Sequence, residues 1–250
     1  MISKNQIKYI KGLEQKKVRK REGLFVAEGP KVVGDLLHAG FTPNRIMATE
    51  DWYQAMHIQA DDRFLVVTDE ELGRISFLQH PQQVLATFPI PVYQHLQHDF
   101  ATDLFLALDN VQDPGNLGTI IRIADWFGIS TIFCSPETAD AYNPKVVQAT
   151  MGSIARVRVV YTNLQQLFSN LPEGTPVYGT FLDGKDIYKE SLTTNGIIVM
   201  GNEGNGISQD VAAYVNKKLL IPHYPAEKET ADSLNVAIAT AVTCAEFRRR

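Results

Sequence analysis

The chain has 250 residues, of which 44% are hydrophobic and 21% are charged, and its formal net charge is −4. This length allows one large domain or two small ones, and either can bury a core. No apolar run approaches the roughly 20 residues that cross a bilayer, which excludes a membrane-spanning helix. The slightly negative charge argues against a protein that coats nucleic acid without specificity.

The cysteines and the first residues bear on metals and on the compartment. Cys134 and Cys244 form no CxxC pair and have no metal-ligand spacing, so the sequence predicts no metal site. The first residues are basic, but no apolar segment follows them, which is unlike a secretory signal. We therefore expect a cytoplasmic protein with neither a membrane nor a metal as partner.

The basic residues are concentrated at the start of the chain. Residues 1–31 hold nine basic and three acidic side chains, a balance of +6 that leaves −10 for the rest. A local basic surface on an acidic protein favours contact with a phosphate backbone, although a solvated helix face is the alternative. The residues predicted to contact RNA are Lys4, Lys8, Lys16, Lys17, Arg19, Lys20 and Arg21.

The first third of the chain alternates strands with helices. Residues 3–21 are predicted to form one basic helix, followed by a helix from the Gly29-Pro30 turn to Leu37 and another over 69–75. Strands are predicted at 24–27, 45–48, 64–67 and 84–88. The pattern indicates a small α/β domain over residues 1–95. Pro89 and Pro91 interrupt it, so we expect the domain boundary near residues 90–102.

A second alternation begins at Leu104 and predicts a domain over residues 102–250. Its strands are predicted at 104–108, 131–134, 157–161, 176–180, 197–200 and 218–221. Helices are predicted at 117–127, 144–151, 164–170, 209–216 and 233–248. Nearly unbroken apolar strands between helices are typical of a buried, mostly parallel sheet, so the predicted fold class is α/β.

The first segment with chemical potential follows the strand at 104–108. It reads Asn-Val-Gln-Asp-Pro-Gly-Asn116-Leu-Gly-Thr-Ile-Ile-Arg122 and leads from a polar, glycine-containing loop into a helix. Glycine permits close approach of the backbone to a ligand, and a helix start attracts anions. Arg122 has the forked geometry that grips a phosphate or a carboxylate. The alternative is a tight turn with a helix cap.

Two further segments each follow a predicted strand. The segment Met200-Gly-Asn-Glu203-Gly-Asn-Gly206-Ile-Ser has glycine spacing that matches neither the dinucleotide nor the phosphate-binding pattern. Glu203 lies where α/β sheets bind ligands, although a flexible turn is the alternative. The third segment reads Ser233-Leu-Asn235-Val-Ala and opens the last helix. Helix capping is the alternative role of Ser233, whereas Asn235 is a poor helix former in a first turn.

Together the three segments resemble the three motifs of the SpoU (TrmH-type) ribose methyltransferases of the SPOUT superfamily. The resemblance covers about residues 104–247. Residues 25–29, Phe-Val-Ala-Glu-Gly, are similar to the small ribosomal-protein-like substrate-binding domain that many members carry. The resemblance implies a C-terminal parallel-sheet domain with a trefoil knot, a homodimer, and an RNA substrate, ribosomal in preference to transfer RNA.

The resemblance also implies a cofactor and a reaction. S-adenosylmethionine would donate a methyl group to a ribose 2′-hydroxyl. The implied catalytic residues are Arg122, Asn116, Glu203, Ser233 and Asn235. The implied cofactor-binding residues are Thr180, Phe181, Leu182, Met200, Gly201, Asn202, Gly206, Ile221 and Leu234. Because a guanidinium stays charged, we expect Arg122 to grip the adjacent phosphate and stabilise a developing alkoxide rather than to accept a proton.

Two departures from the family pattern and two rival functions accompany this interpretation. The stretch between Pro222 and Ser233 is longer and more charged than in relatives, which affects the pocket floor. Gln83 stands in Pro-Gln-Gln-Val where relatives often have glycine, which affects a turn.

One rival function is that of a non-catalytic RNA-binding protein that retains the fold. The other is a dinucleotide-dependent oxidoreductase, for which the glycine spacing is wrong.

Overall fold

The computed structural model of the protein describes residues 2–57, 61–93, 98–225 and 233–249. Contacts within the chain divide it into two compact units. Unit 1 comprises Met1–Val92 and Asp140–Ala155, and unit 2 comprises Tyr93–Ala139 and Arg156–Arg250. A single boundary along the chain cannot express this division, because residues 140–155 fall within the second predicted range and pack with unit 1.

Unit 1 is built on a four-stranded mixed sheet. Its elements are α1 (Lys4–Gly12), α2 (Lys16–Glu22), β1 (Leu24–Glu28), α3 (Pro30–His38), β2 (Arg45–Ala48), α4 (Glu50–Met56), β3 (Phe64–Val66), α5 (Asp69–Ile75) and β4 (Val84–Pro89). The strand order is β1-β4-β2-β3, with β2 parallel to β3 and β4 antiparallel to both neighbours. The four predicted strands are confirmed. Helix α4 was not predicted, because Trp52 is its only buried residue and gives no apolar period.

The prediction of one basic helix over residues 3–21 is wrong. The structure has two helices, because α1 ends after Gly12 and Gln15 adopts an extended conformation before α2. Leu13 at the break is fully buried. The carbonyl groups of Leu13 and Glu14, which a continuous helix would use internally, accept hydrogen bonds from Arg19 Nη1 at 2.8 and 2.6 Å.

Arg19 therefore corrects a second prediction. Its side chain is 2% exposed, and Nη2 lies 2.5 Å from Asp140 Oδ2 within the same unit. A guanidinium that is buried and bonded in this way has no surface to offer a phosphate. Arg19 holds unit 1 together and is not an RNA contact, a distinction that a count of basic residues cannot make.

Unit 2 carries a six-stranded sheet. The remaining elements are β5 (Leu104–Leu108), α6 (Pro114–Trp126), β6 (Thr131–Cys134), α7 (Pro144–Ala149, in unit 1), β7 (Arg158–Tyr161), α8 (Leu164–Ser169), β8 (Val177–Asp186), β9 (Gly196–Met200), α9 (Gln209–Ala212), β10 (Lys217–Leu220) and α10 (Val236–Arg249). The strand order is β10-β8-β9-β5-β6-β7 and every pairing is parallel. The six predicted strands and the α/β class are confirmed.

The core of unit 2 explains why the strands were legible in the sequence. Phe105, Phe133, Ile197 and Val199 pack in one buried cluster around the sheet. Strands β5, β6 and β9 are buried along their whole length, so their residues are apolar almost without interruption, whereas β7, β10 and the second half of β8 are partly exposed. The helices are less exactly predicted: α9 ends at Ala212 rather than residue 216, and α10 begins at Val236 rather than residue 233.

One expectation remains outside what the fold decides. The trefoil knot implied by the family depends on the path of the chain after β10, and residues 226–232 lie outside the described residues, so the knot stays a prediction. Within the described ranges, no helix is both long enough and apolar enough to span a bilayer.

Candidate active site

The topology of unit 2 brings the three motif segments to one edge of its sheet. Strands β5 and β9 are neighbours, and β9 is followed across the sheet by β8 and then β10. Because all of these strands are parallel, their carboxyl ends meet at the same edge, where α/β sheets place their ligands. The loops at 109–113 and 201–208 and the chain after Leu220 extend from that edge.

Three of the five predicted catalytic side chains form a hydrogen-bonded chain. Asn235 Nδ2 donates to Asn116 Oδ1 at 2.9 Å, and Asn116 Nδ2 donates to Glu203 Oε1 at 3.0 Å. These residues come from the three separate motif segments and are up to 119 positions apart. The direction of the chain is fixed, because Asn235 uses its amide nitrogen and Asn116 then has only its own nitrogen left to offer.

The start of α10 settles the capping question for this segment. Asn235 Oδ1 accepts hydrogen bonds from the backbone N–H groups of Ala237 at 2.9 Å and Ile238 at 3.3 Å. Asn235 therefore caps the helix and links it to Asn116 at the same time. Ser233 is exposed and makes no capping contact among the described residues, so its alternative role as the cap is wrong.

Arg122 stands apart from this chain. It is exposed on α6, six residues after Asn116, which places the two side chains about 120° apart around the helix. Within the described part of the chain, no hydrogen bond or ion pair ties its guanidinium to Asn116, Glu203 or Asn235. In the single chain, Asn116, Glu203 and Asn235 therefore do not orient Arg122 directly.

Sequence reasoning missed the groups that hold the network. Asp113 caps α6, and its Oδ1 accepts from the N–H of Asn116 at 2.7 Å. Asp109 is 6% exposed, and its Oδ2 accepts from the N–H of Ser208 at 2.7 Å, which anchors the glycine-rich loop. The Asp-Pro pair at a helix start was a readable signal for Asp113. Nothing in the pattern distinguished Asp109 from an ordinary loop residue.

The glycine-rich loop is held mainly by its own atoms. The backbones of Asn202 and Gly206 exchange two hydrogen bonds of 2.9 Å. Asn202 Oδ1 also accepts from the N–H groups of Gly204 and Asn205, and its Nδ2 donates to Asn110 O at 2.8 Å. A Cβ atom on Gly201 would lie 2.2 Å from the Gly206 carbonyl carbon. Glycine is thus required at 201, and Asn202 shapes the loop.

Another predicted cofactor segment bulges out of β8. The register between β8 and β10 shifts between Lys218 and Leu219, so that residues 180–184 have no partner on β10. Thr180, Phe181 and Leu182 lie in this bulge. Thr180 Oγ1 lies 3.9 Å from Met200 Sδ at the end of β9, which brings two of the predicted cofactor segments into contact.

The apolar side chains at this edge suit the flat faces of an adenine ring. Leu182 is 78% exposed and Leu234 is 53% exposed, while Phe181 and Ile221 are half-buried. Exposed leucines beside a ligand-binding edge provide apolar walls for a ligand. Part of the long segment after Pro222, including Glu227, Lys228, Glu229 and Asp232, lies outside the described residues. The residues present fit S-adenosylmethionine as proposed from the family motifs.

The remaining basic residues of unit 1 lie on its surface. Lys4, Lys8, Lys17, Lys20 and Arg21 are exposed, and so is Lys16. Arg21 Nε is 2.8 Å from Glu22 Oε1, an exposed pair that contributes little to stability. In the described ranges, no group of three or more His, Cys, Asp or Glu side chains is placed to hold a metal ion.

Comparison with sequence families places two descriptions on the chain. Residues 103–245 match the SpoU rRNA methylase family, and residues 4–86 match the MRM3-like substrate binding domain. The first match covers the entire hydrogen-bonded chain and Arg122. The second covers α1, α2, strands β1 to β3 and the first half of β4.

Individual proteins are similar over nearly the whole chain. The 23S rRNA (guanosine(2553)-2′-O)-methyltransferase RlmP of Bacillus subtilis is 31% identical over 98% of this chain and 97% of its own. A TrmH-family protein from Porphyromonas gingivalis has a TM-score of 0.89 and 40% identity, covering 100% of this chain and 99% of its own. An AdoMet-bound rRNA methyltransferase from Sinorhizobium meliloti has a TM-score of 0.86 and 31% identity, covering 100% and 97%.

Proposed function

The chain belongs to the SpoU rRNA methylase family, and from that premise we propose that it methylates a ribose 2′-hydroxyl of ribosomal RNA with S-adenosylmethionine. The observation that carries the proposal is the hydrogen-bonded chain of Asn235, Asn116 and Glu203. The chain brings polar side chains from three segments to one edge of the sheet, as positioning a ribose requires, whereas RNA binding alone does not require it. The oxidoreductase alternative is set aside, because family and glycine spacing both oppose it.

The reaction has few chemical requirements. S-adenosylmethionine, when bound, supplies the methyl group as part of a sulfonium. The 2′-oxygen must lie in line with that methyl group, and the negative charge that develops on the oxygen must be stabilised. Both requirements concern position and electrostatics, which polar side chains held by other side chains provide well.

Arg122 is assigned to the electrostatic requirement. A guanidinium does not lose its proton in a protein, so it acts as a donor and a charge, not as a base. We assign it to the phosphate beside the target ribose, from where its charge also favours the developing alkoxide. Its exposure in the single chain leaves it accessible to RNA.

The polar chain is assigned to orientation. Asn116 is held from two sides, by Asn235 and Glu203, so its rotation is restricted. Glu203 Oε2 also lies 3.5 Å from the backbone nitrogen of Gln112, which directs the carboxylate toward the loop after β5. Such an edge presents fixed donors and acceptors to the hydroxyls of a ribose. Ser233, close to Asn235 in sequence, extends the same edge.

The cofactor is assigned to the bulge of β8 and the neighbouring loops. Leu182 and Leu234 would contact the adenine faces, while the backbone at Met200, Gly201 and Gly206 borders the pocket. A similar structure is described as AdoMet-bound, which supports the assignment. Asn202 contributes by fixing the loop, since both ends of its amide are already engaged.

Ribosomal RNA is the substrate that the relatives support. The Bacillus subtilis relative is described as acting on 23S rRNA, and the Sinorhizobium meliloti structure is described as an rRNA methyltransferase. The basic residues of α1 and α2 lie in the region that matches a substrate binding domain. A ribosomal RNA substrate also favours the cytoplasm as the site of action.

We also propose that the protein is a homodimer through an exposed face of α6 and α10. Trp126 on α6 is 84% exposed and Ile238 on α10 is 53% exposed. The two helices pack side by side, with Arg248 Nε donating to Phe127 O at 2.8 Å at one end. An exposed tryptophan beside an apolar helix face is typical of a protein interface.

Arg122 lies on the same face of α6, one turn before Trp126. A dimer through this face would therefore fix the arginine that the single chain leaves unattached. Sedimentation should report a dimer for the wild type and a monomer for Trp126→Glu, with a parallel loss of activity. Tyr188→Glu, at an exposed aromatic residue elsewhere on unit 2, is the matched control and should leave both unchanged.

The reaction is tested by the chemistry of its product. The purified protein is incubated with methyl-labelled S-adenosylmethionine and total RNA from a host that lacks the gene, and the labelled RNA is then hydrolysed with alkali. Alkaline cleavage requires a free 2′-hydroxyl, so the proposal predicts label in alkali-resistant dinucleotides from ribosomal RNA. Label in mononucleotides would mean base methylation and would contradict the proposal.

A further inference from the structure

A cavity lies in unit 1. It has a volume of about 450 Å³ and is walled by α1, by strands β2 and β3, and by Thr87 of β4. This volume is within the range of small-ligand pockets. Every lining residue belongs to unit 1, so this cavity is separate from the residues assigned to methyl transfer.

Carboxamide groups dominate the polar lining. Asn5 and Gln6 come from α1, and Asn44 precedes β2. Gln6 Oε1 already accepts from the N–H of Ser3 at 2.8 Å, and Asn44 Oδ1 accepts from Thr87 Oγ1 at 3.3 Å. The amide nitrogens of Gln6 and Asn44 are thus the atoms left to donate. Asn5 is exposed and can both donate and accept.

An aromatic ring and an apolar floor complete the cavity. Tyr9 is 40% exposed, and its hydroxyl donates to Glu22 Oε2 at 3.2 Å, which restrains the ring. Ile10, Met47 and Leu65 supply apolar surface beside it. Amide groups that read an edge, together with a ring that covers a face, are the combination by which proteins hold unstacked nucleobases.

Cationic side chains border the same cavity. Arg45 lines it and is exposed, and Lys8 lies one helical turn from Asn5 on α1. No ion pair engages Arg45 or Lys8 among the described residues. The cavity therefore combines base-reading groups with positive charge for a backbone phosphate, whereas an ordinary apolar pocket needs no cation at its rim.

We propose that the cavity lined by Asn5, Gln6, Tyr9, Asn44 and Arg45 binds one unpaired nucleobase of the RNA substrate, with Arg45 on an adjacent phosphate. The proposal rests on the proposed function for the identity of the polymer. The proposal adds a specific contact to the non-specific phosphate contacts of a basic surface. A single base, displaced from its helix, enters the cavity of unit 1. Base-paired RNA keeps its bases stacked and cannot fill the cavity.

The test uses the full chain and two fluorescent RNAs, a single-stranded 20-nucleotide RNA of mixed sequence and the blunt duplex that it forms with its complement. Tyr9→Ala should weaken binding of the single strand about five- to 150-fold, the range expected for loss of one base-stacking contact. It should leave duplex binding unchanged. Tyr9→Phe keeps the ring and should bind almost as wild type does.

A second variant and a control make the outcome decisive. Asn44→Asp is nearly isosteric and replaces a donor with a negative acceptor, so it should weaken the single strand selectively. Lys20→Ala, an exposed residue of α2, should weaken both RNAs together and reduce the salt dependence. Thermal unfolding confirms that each variant is folded.

Equal weakening of both RNAs by Tyr9→Ala, or no effect on either, would overturn the proposal. Selective binding of the single strand by a protein that methylates no RNA would support the cavity and reject the proposed function. Methylation that persists with no selectivity at Tyr9 and Asn44 would do the reverse. The two claims therefore fail in different ways.

Discussion

The two units of the protein present their predicted functional residues in opposite ways. In unit 2, Asn116, Glu203 and Asn235 lie far apart in sequence and meet in one hydrogen-bonded chain. In unit 1, the predicted RNA contacts are adjacent in sequence but separate in structure, since Arg19 is buried and Lys20 is exposed. Residue type at a defined motif position therefore predicts location better than local charge does.

The physical reason is the number of constraints on each residue. A motif residue must meet a particular partner, and only one topology satisfies three motifs together. A basic residue in a charged helix needs only solvent around it. Any such residue can therefore form a structural contact instead of binding RNA. Arg19 serves the break between α1 and α2, because its side chain donates to carbonyl groups there that have no helical partner.

The largest effect is expected at Arg122, whose guanidinium has no hydrogen bond or ion pair with the described residues of the polar chain in unit 2. Arg122→Ala should lower kcat about 10²- to 10³-fold, as for removal of a donor to developing oxyanion charge. Steady-state methyl transfer with saturating RNA measures this, and calorimetry should show unchanged affinity for S-adenosylmethionine. Arg122→Lys keeps the charge but not the fork, and should recover only part of the rate. Wild-type activity in Arg122→Ala would remove this residue from the mechanism.

Arg19 provides the sharpest contrast with its neighbour. Arg19→Ala removes one member of a buried ion pair and leaves Asp140 without its cation, so the free energy of unfolding should fall by about 3 kcal/mol. Urea unfolding monitored by tryptophan fluorescence measures the change. Lys20→Ala is the matched control and should change stability by less than about 0.5 kcal/mol. Equal stability of the two variants would mean that the burial of Arg19 has been misassigned.

The hydrogen-bonded chain should be separable from helix capping. Asn235→Asp keeps the acceptor that caps α10 and adds a charge favourable at a helix start, so stability should hold. It loses the donor to Asn116, and kcat should fall about tenfold, the cost of roughly 1.4 kcal/mol in transition-state stabilisation. Asn235→Ala should lose both stability and activity. A double-mutant cycle with Asn116→Ala should show coupling; additive effects would contradict the chain.

The smallest effect is expected at Gln83, which returns the comparison to unit 1. Its φ of 47° lies in the left-handed region that favours glycine. Gln83→Gly should therefore raise the free energy of unfolding by about 0.5 to 1 kcal/mol, despite the entropy that glycine adds to the unfolded chain. The melting temperature should rise slightly in consequence. Scanning calorimetry measures it. A clear loss of stability would show that the Gln83 side chain contributes more than its backbone costs.

Much of this structure could be read from the sequence, and the exceptions share a cause. The strands were predictable because a doubly covered sheet demands continuous apolar residues, as in 104–108 and 197–200. The pairing of Asn235 with Asn116 and the supporting role of Asp109 were not, since they depend on how distant loops meet. The helix break at Leu13 could not be predicted, because a pattern of charged residues does not indicate which backbone carbonyls a side chain will bind.

The claim that the protein methylates ribosomal RNA is tested most directly in the native host. The 2′-O-methylation of all ribosomal and transfer RNA is mapped with the gene present, with it deleted, and with the deletion complemented by wild type or by Arg122→Ala. We expect one ribosomal mark to disappear on deletion and to return with wild type but not with Arg122→Ala. A map that is identical in all four strains would contradict the account and favour a protein that binds RNA without modifying it.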